Sequence, residues 1–298
     1  MASAKSWVKA ARLRTLPLAS SGIIVGSAAA VFFQQFDLAV FMLALLTAIA
    51  LQVFSNFAND YGDFQKGTDN AQRLGPTRTM QGGEITENEM KLGMAISIVM
   101  SVVFGIALIV VSGISWGAIA AFVAFGLLCL LAAYFYTAGN HSYGYVGLGD
   151  VSVFIFFGMM SVSALYYLYA HEVHFSVFLL AITVGCFSTG VLNLNNMRDR
   201  ENDISSGKIT VASRLGVDGA KFYQAALIIG GWCSALLFAV LHFTHWWQFI
   251  FCLAMPFFFK DLIHIFRINN EAQFDPFLKK LSLATLFLAV LLLVGCLV

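Results

Sequence analysis

The sequence predicts an all-α, polytopic membrane protein of about nine transmembrane helices, and three observations predict it. Hydrophobic residues fill 59% of the 298 positions and charged ones only 11%, which leaves too little polar surface for a water-soluble globule. Apolar runs able to cross a hydrocarbon core of about 30 Å, which takes roughly 20 helical residues, recur along the whole chain. The charges gather in alternate links between those runs.

Taken in order, the predicted spans are 15–33, 38–59, 91–111, 115–137, 149–170, 175–197, 219–240, 246–266 and 279–298, in a single domain covering 1–298. The first follows Lys5, Lys9, Arg12 and Arg14; it reads as a transmembrane helix, because no small-residue cleavage site precedes the spans beyond it. Links near Gln34, Ser112, His171 and His242 are brief, whereas 60–90, 138–148, 198–218 and 267–278 are long. All 17 Lys and Arg fall on the side of the long links, and of the 16 acids only Asp37 and Glu172 lie opposite. Positive charge favours the cytoplasmic face, so the N-terminus and long links are expected in the cytoplasm and the C-terminus outside. Gly22-x-x-x-Gly26 and Gly113-x-x-x-Gly117 predict close helix packing, and Thr86-x-x-Glu89 a capping box that opens the third span.

Net charge is +1, so nothing points to a nucleic-acid partner. The five cysteines lie in apolar stretches, are odd in number and show no Cys-x-x-Cys spacing, which excludes a disulfide framework and a zinc site.

The first long link carries the chemistry. If the second span's helix continues to Asp63, then Asn56, Asn59, Asp60 and Asp63 fall on one stripe. Acids so clustered beside lipid need a compensating cation, and Mg²⁺, a hard ion that bridges carboxylates to substrate phosphates, suits them. Arg73, Gly75, Pro76 and Arg78 follow, a helix-breaking turn flanked by guanidinium forks suited to phosphate, with Lys66 beside the acids. The second charged link repeats this logic with Asn195, Asn196, Arg198, Asp199, Asp203 and Lys208. Asn195, Asp199 and Asp203 are spaced i, i+4, i+8. An even number of crossings separates the two stripes, so both reach the same side, as in a weak parallel repeat. Opposed carboxylate stripes with basic residues between them fit a diphosphate held through magnesium, whose allylic chain lies among apolar helices.

Asn59-Asp60-Tyr61-x-Asp63 with Asp69, Arg73-x-Gly75-Pro76-x-Arg78, the tract Tyr143 to Asp150, and Asp199-x-x-x-Asp203 followed by Lys208 resemble the intramembrane aromatic prenyltransferase superfamily over essentially the full chain. The likeness is strongest to the branch of menaquinone biosynthesis. It implies nine helices around a central cavity in the bacterial inner membrane. It also implies transfer of a polyprenyl group from polyprenyl diphosphate to 1,4-dihydroxy-2-naphthoate, with loss of carbon dioxide. On this reading Asn59, Asp60, Asp63, Asp69, Asp199 and Asp203 hold Mg²⁺, with Asp60, Asp63, Asp199 and Asp203 catalytic. The superfamily spacing would put the third acid of the first motif at Gly67, whereas here Asp69 follows two residues later.

Lys66, Arg73, Arg78, Arg198 and Lys208 share links with the acids and are read as phosphate contacts, with Asn56, Asn195 and Asn196 beside them. Arg12, Arg14, Lys260, Arg267, Lys279 and Lys280 are read as topology determinants. The pairs His171/His174 and His242/His245 lie away from every acid motif and are read as interfacial packing. Tyr143 and Tyr145 either anchor at the interface or stack on the acceptor, and Asp150 either caps the fifth span or positions the acceptor. A different acceptor such as 4-hydroxybenzoate would need the same diphosphate site. An anion transporter fits less well, since its ion sites would lie near the bilayer midplane.

Overall fold

In lipid no water satisfies a stray peptide group, so a crossing segment must close its hydrogen bonds internally, as a helix does. The computed structural model describes residues 2–70, 73–139 and 142–297, and no strand occurs among them. Nine helices among the described residues are long and apolar enough to cross: Ala4–Phe32, Leu38–Gln65, Glu87–Ser112, Trp116–Phe135, Gly149–Ala170, Val177–Arg198, Val211–Leu241, Trp246–Phe266 and Glu271–Leu297. They match the predicted spans, and the protein is a multi-pass membrane protein.

Local chemistry sets the ends. Asp37 opens the second span by accepting the Val40 N–H at 2.9 Å, and Thr86 with Glu89 forms the predicted capping box. The first span is in two parts. A helix over Ala4–Ala10 leads to Arg12, whose φ of 50° is left-handed, and the chain then re-enters a helix over Leu16–Phe32.

The sixth span is the axis of the bundle, mostly buried, and packs against the first, fifth, seventh and ninth. The fourth, in which no residue is buried, is peripheral, resting on the second and third. Small residues permit the closest approaches. A β-carbon at Gly26 would stand 3.0 Å from the Val162 carbonyl oxygen, and one at Gly158 2.4 Å from the Gly185 Cα. Gly113 and Gly117 do not pack as their spacing predicts: a β-carbon at either meets nothing within 4 Å, and Gly113 instead ends the third span with a φ of 64°.

On the side away from the acid motifs, His174 and His242 lie 5.8 Å apart between ring centroids and pack around Phe33, as interfacial packing predicts. All five cysteines are free. Between the spans runs a cavity of about 700 Å³ with apolar walls that include Ile106, Phe122, Phe125, Phe157, Leu165 and Leu168. Its mouth carries the charged residues of the long links.

Replacing Gly158 with Val pushes new atoms onto the backbone at Gly185, and the expected cost is about 1–3 kcal/mol. Gly117→Ala, which meets open space, should stay within about 0.5 kcal/mol of the parent. Thermal unfolding of the purified protein in detergent compares them; equal midpoints would show that the Gly158 contact carries no packing constraint.

Candidate active site

The second span stays helical to Gln65, which carries the first acid stripe beyond the apolar part of the helix. Gly67, at φ 69°, then turns the chain back so that the Thr68 N–H reaches the Asp63 carbonyl at 3.1 Å. This return lays Asp69 over Asp63, which accounts for its presence at the site despite its offset spacing. The second motif is built alike. The sixth span bends at Asp199 into a short helix over Arg200–Ser205. The bonds Asp199 N–H to Asn195 O (3.0 Å) and Asp203 N–H to Asp199 O (2.8 Å) keep the register across the bend. Gly207, at φ 73°, returns the Lys208 N–H to the Asp203 carbonyl at 2.8 Å.

The two motifs meet. Asn202 donates to the Thr68 carbonyl at 3.0 Å, and Arg73 spans both, with Nε 3.3 Å from Asp69 Oδ1 and Nη2 3.2 Å from Asp199 Oδ2. Tyr145 holds three links together: its hydroxyl donates to Asp63 Oδ1 at 2.8 Å and lies 2.5 Å from Thr68 Oγ1, and its carbonyl accepts the Ile209 N–H at 3.0 Å. The Lys66 and Lys208 ammoniums sit over its ring, 4.1 and 5.8 Å from the centroid.

Most of the residues singled out in the sequence line the cavity mouth: Asn56, Asn59, Asp63, Asp69, Arg73, Arg78, Tyr143, Asn195, Asn196, Asp199, Asp203 and Lys208. Four do not. Asp60 is buried on the flank of its helix, paired with Arg12, accepting from Thr79 Oγ1 at 3.1 Å, and 3.7 Å from Arg78 Nε. Arg198 is buried behind Asp199. Lys66 turns to Ser142 and the Tyr145 ring. Asp150 is buried at the start of the fifth span, near Thr189, with Oδ1 lacking a hydrogen-bond partner.

Two cations read as topology determinants belong at the mouth instead. The left-handed turn at Arg12 brings Arg12 and Arg14 to the cavity, and Asn56 fastens that turn by donating to the Ala11 carbonyl at 2.8 Å. Tyr136 also lines the cavity and was not singled out; an aromatic at the end of an apolar span carries no signal of its own. Tyr145 was noticed in the sequence, but nothing there marked it as a hub.

Electrostatics separates the acids. Burial pushes the Asp69 carboxyl up to about 6, reinforced by Asp63 and only partly offset by Arg78 and Arg73. Burial likewise raises Asp203 to about 6 against the pull of Lys208, with Asp199 and Asp63 adding to the rise. Asp199 goes the other way: burial would raise it, but the hydrogen bonds from Arg198 and the charge of Arg73 hold it below the usual range. Arg78 is pushed down by burial and then by Arg12 and Arg73, as expected where cations crowd with too few anions.

The donor set fits a divalent cation. Asp69 Oδ2 and Asp203 Oδ2 are buried without a hydrogen-bond partner, Asp69 Oδ1 meets only the ion pairs with Arg73 and Arg78, and the amide of Asn59 lines the same wall. Among the described residues no three acids or histidines are already drawn into a group able to hold a metal alone.

Residues 19–291 match the sequence profile of the UbiA prenyltransferase family. Over 99% of its length the chain is 40% identical to the 1,4-dihydroxy-2-naphthoate octaprenyltransferase of Haemophilus influenzae, covering 96% of that protein. The solved structure of a UbiA homolog from Aeropyrum pernix K1 aligns with a TM-score of 0.70 at 14% identity, over 93% of this chain and 96% of that one. A UbiA homolog from Archaeoglobus fulgidus bound to DMAPP and Mg²⁺ aligns with a TM-score of 0.52 at 15% identity, over 94% and 98%. Helix bundle, paired acid motifs and near full-length sequence match agree: the chain belongs to the UbiA prenyltransferase family.

Proposed function

We propose that this chain transfers a polyprenyl group from polyprenyl diphosphate to 1,4-dihydroxy-2-naphthoate, releasing diphosphate and carbon dioxide and giving demethylmenaquinol. The observation that carries the reading is the cavity itself. Its mouth sets Asp63, Asp69, Asp199 and Asp203 among Arg12, Arg14, Arg73, Arg78 and Lys208, and its interior is apolar. An amphiphile with a diphosphate head and an isoprenoid tail matches both regions. The Haemophilus influenzae relative supports the naphthoate as acceptor.

Asn59, Asp63, Asp69, Asp199 and Asp203 would hold Mg²⁺, which when bound supplies positive charge against the departing diphosphate. The four arginines and Lys208 bind phosphate oxygens and stabilise the charge that grows on them as the C1–O bond breaks. Asp60 acts at one remove, keeping Arg12 and Arg78 in place. The apolar walls exclude water, so the allylic cation meets the acceptor ring. Tyr136 and Tyr143, which line the cavity in edge-to-face contact with centroids 5.4 Å apart, present one aromatic wall to the acceptor. The ring carbon that carries the carboxyl group bonds to C1, and that carboxylate leaves as carbon dioxide, its bonding electrons restoring the aromatic ring, while diphosphate keeps the electrons of the broken C1–O bond. We place the chain in a bacterial inner membrane with the motif side in the cytoplasm, because every Lys and Arg clusters there.

The product decides the acceptor. Purified protein with Mg²⁺, a polyprenyl diphosphate and the naphthoate should yield a prenylated product whose mass reports the loss of carbon dioxide, and excess chelator should stop the reaction. A prenylated 4-hydroxybenzoate as the main product would overturn the acceptor assignment.

Charge deletion tests the mechanism. Asp63→Asn or Asp203→Asn should lower kcat/KM by about 100-fold or more. Arg78→Ala should raise KM for the prenyl diphosphate by about 10- to 100-fold and leave that of the acceptor alone. Steady-state kinetics in detergent checks both, and a fully active Asp203→Asn enzyme contradicts the assignment of that acid.

A further inference from the structure

Arg198 adjoins the first acid of the second motif, and its place in the sequence suggests a phosphate ligand. The structure engages it elsewhere. Its side chain is fully buried, at 0% exposure, outside the cavity lining. Nε donates to Asp199 Oδ1 at 2.9 Å, and Nη2 donates to Asp199 Oδ2 at 2.6 Å and to Asn195 Oδ1 at 2.8 Å. Nη1 pairs with Asp275 at the start of the ninth span. A guanidinium has five N–H groups, so protein partners engage four of them and little remains for a substrate.

The same guanidinium supports the first link. A β-carbon at Gly75 would lie 2.7 Å from Arg198 Nη2 and 2.9 Å from Arg73 Nη1, so any side chain there would push one or both guanidinium groups out of place. From that turn Arg73 reaches Asp199 Oδ2 at 3.2 Å. Asp275 completes the assembly by also facing Arg14, 3.6 Å away. The first, sixth and ninth spans and the first link therefore converge on one side chain.

We propose that Arg198 is a positioning residue: anchored by Asp275, it fixes the Asp199 carboxylate at the cavity wall and seats the Gly75 turn that delivers Arg73. The inference rests on the reading that Asp199 serves a divalent cation bound with a diphosphate. A bidentate fork sets the plane of a carboxylate, whereas an ammonium only neutralises its charge. Loss of a partner that orients a metal ligand commonly weakens metal affinity by about 10- to 100-fold.

The test titrates Mn²⁺ into the full-length protein in detergent with inorganic pyrophosphate and no prenyl substrate, followed by calorimetry. Arg198→Lys should weaken Mn²⁺ binding about tenfold or more, and Asp275→Asn, which lies outside the cavity lining although it also faces Arg14, should weaken it several-fold in the same direction. Gly75→Ala should do likewise, and combined with Arg198→Lys should fall short of additivity, because both substitutions disturb one contact. Metal-free pyrophosphate binding, which senses Arg198 only through Arg73, should weaken less than Mn²⁺ binding does in Arg198→Lys. Mn²⁺ affinity equal to the parent's in both Arg198→Lys and Asp275→Asn overturns the proposal, as does a loss confined to metal-free pyrophosphate binding, which would mark a direct phosphate contact. If Arg198→Lys does not fold, Asp275→Asn and Gly75→Ala decide the matter. A parent protein that binds Mn²⁺ as described yet transfers no prenyl group refutes the function and leaves the role of Arg198 standing, whereas a parent that binds no Mn²⁺ refutes both.

Discussion

Everything at the mouth of the cavity depends on opposite charges that cannot be buried separately. Four carboxylates beside lipid would repel one another and take up protons, and five cations would be equally unstable alone. Interleaved, they persist, but unevenly. Asp199 sits between Arg198 and Arg73 and stays ionised, while Asp69 and Asp203 press on Asp63 with too little compensation. The unevenness has chemical content. Charge is balanced where geometry must be held, and left unbalanced where a divalent cation with its diphosphate would restore neutrality.

The same turn made twice brings the acids together. With an offset of 140 positions, Asn56, Asn59, Asp63, Gly67 and Thr68 correspond to Asn196, Asp199, Asp203, Gly207 and Lys208. In each copy a helix carries acids past the apolar zone, a left-handed glycine stops it, and the next residue returns its N–H to the carbonyl of the last acid. Glycine is needed because a β-carbon disfavours that backbone conformation. The copies differ at their last residue, where threonine in one bonds to Tyr145 and lysine in the other faces Asp203. A near-repeat thus supplies two similar walls with different occupants, as a site binding an asymmetric substrate requires.

How much of this the sequence discloses depends on the range of the interaction. Periodicity and hydropathy are local, so the nine spans, the Thr86 capping box and the two acid stripes are legible. Contacts between distant segments are not. Nothing in the order of residues says that Arg12 adopts a left-handed turn and swings into the cavity, or that Arg198 faces Asp275, 77 positions away. Asp60 shows the limit within a single helix. A stripe tolerates about one residue of rotation, and that suffices to put Asp60 against Arg12 and Thr79 while Asn59 and Asp63 line the cavity. Gly113-x-x-x-Gly117 errs for a similar reason: its spacing allows close packing, but the peripheral fourth span offers no partner there.

The asymmetry of the cavity gives the reaction its direction. A diphosphate cannot descend between Phe122, Phe157 and Leu168 without losing its water, and an isoprenoid tail at the mouth would displace water from nine charged groups. Only one orientation satisfies both ends of such a molecule, and it sets C1 at the boundary where charged mouth meets apolar wall. The bond to be broken then has cations and carboxylates on its phosphate side and a dry, aromatic-lined space on its carbon side. Negative charge develops where it is stabilised, and the carbocation forms where water is absent. A membrane site suits this chemistry because the bilayer supplies the gradient in polarity that the cavity converts into orientation.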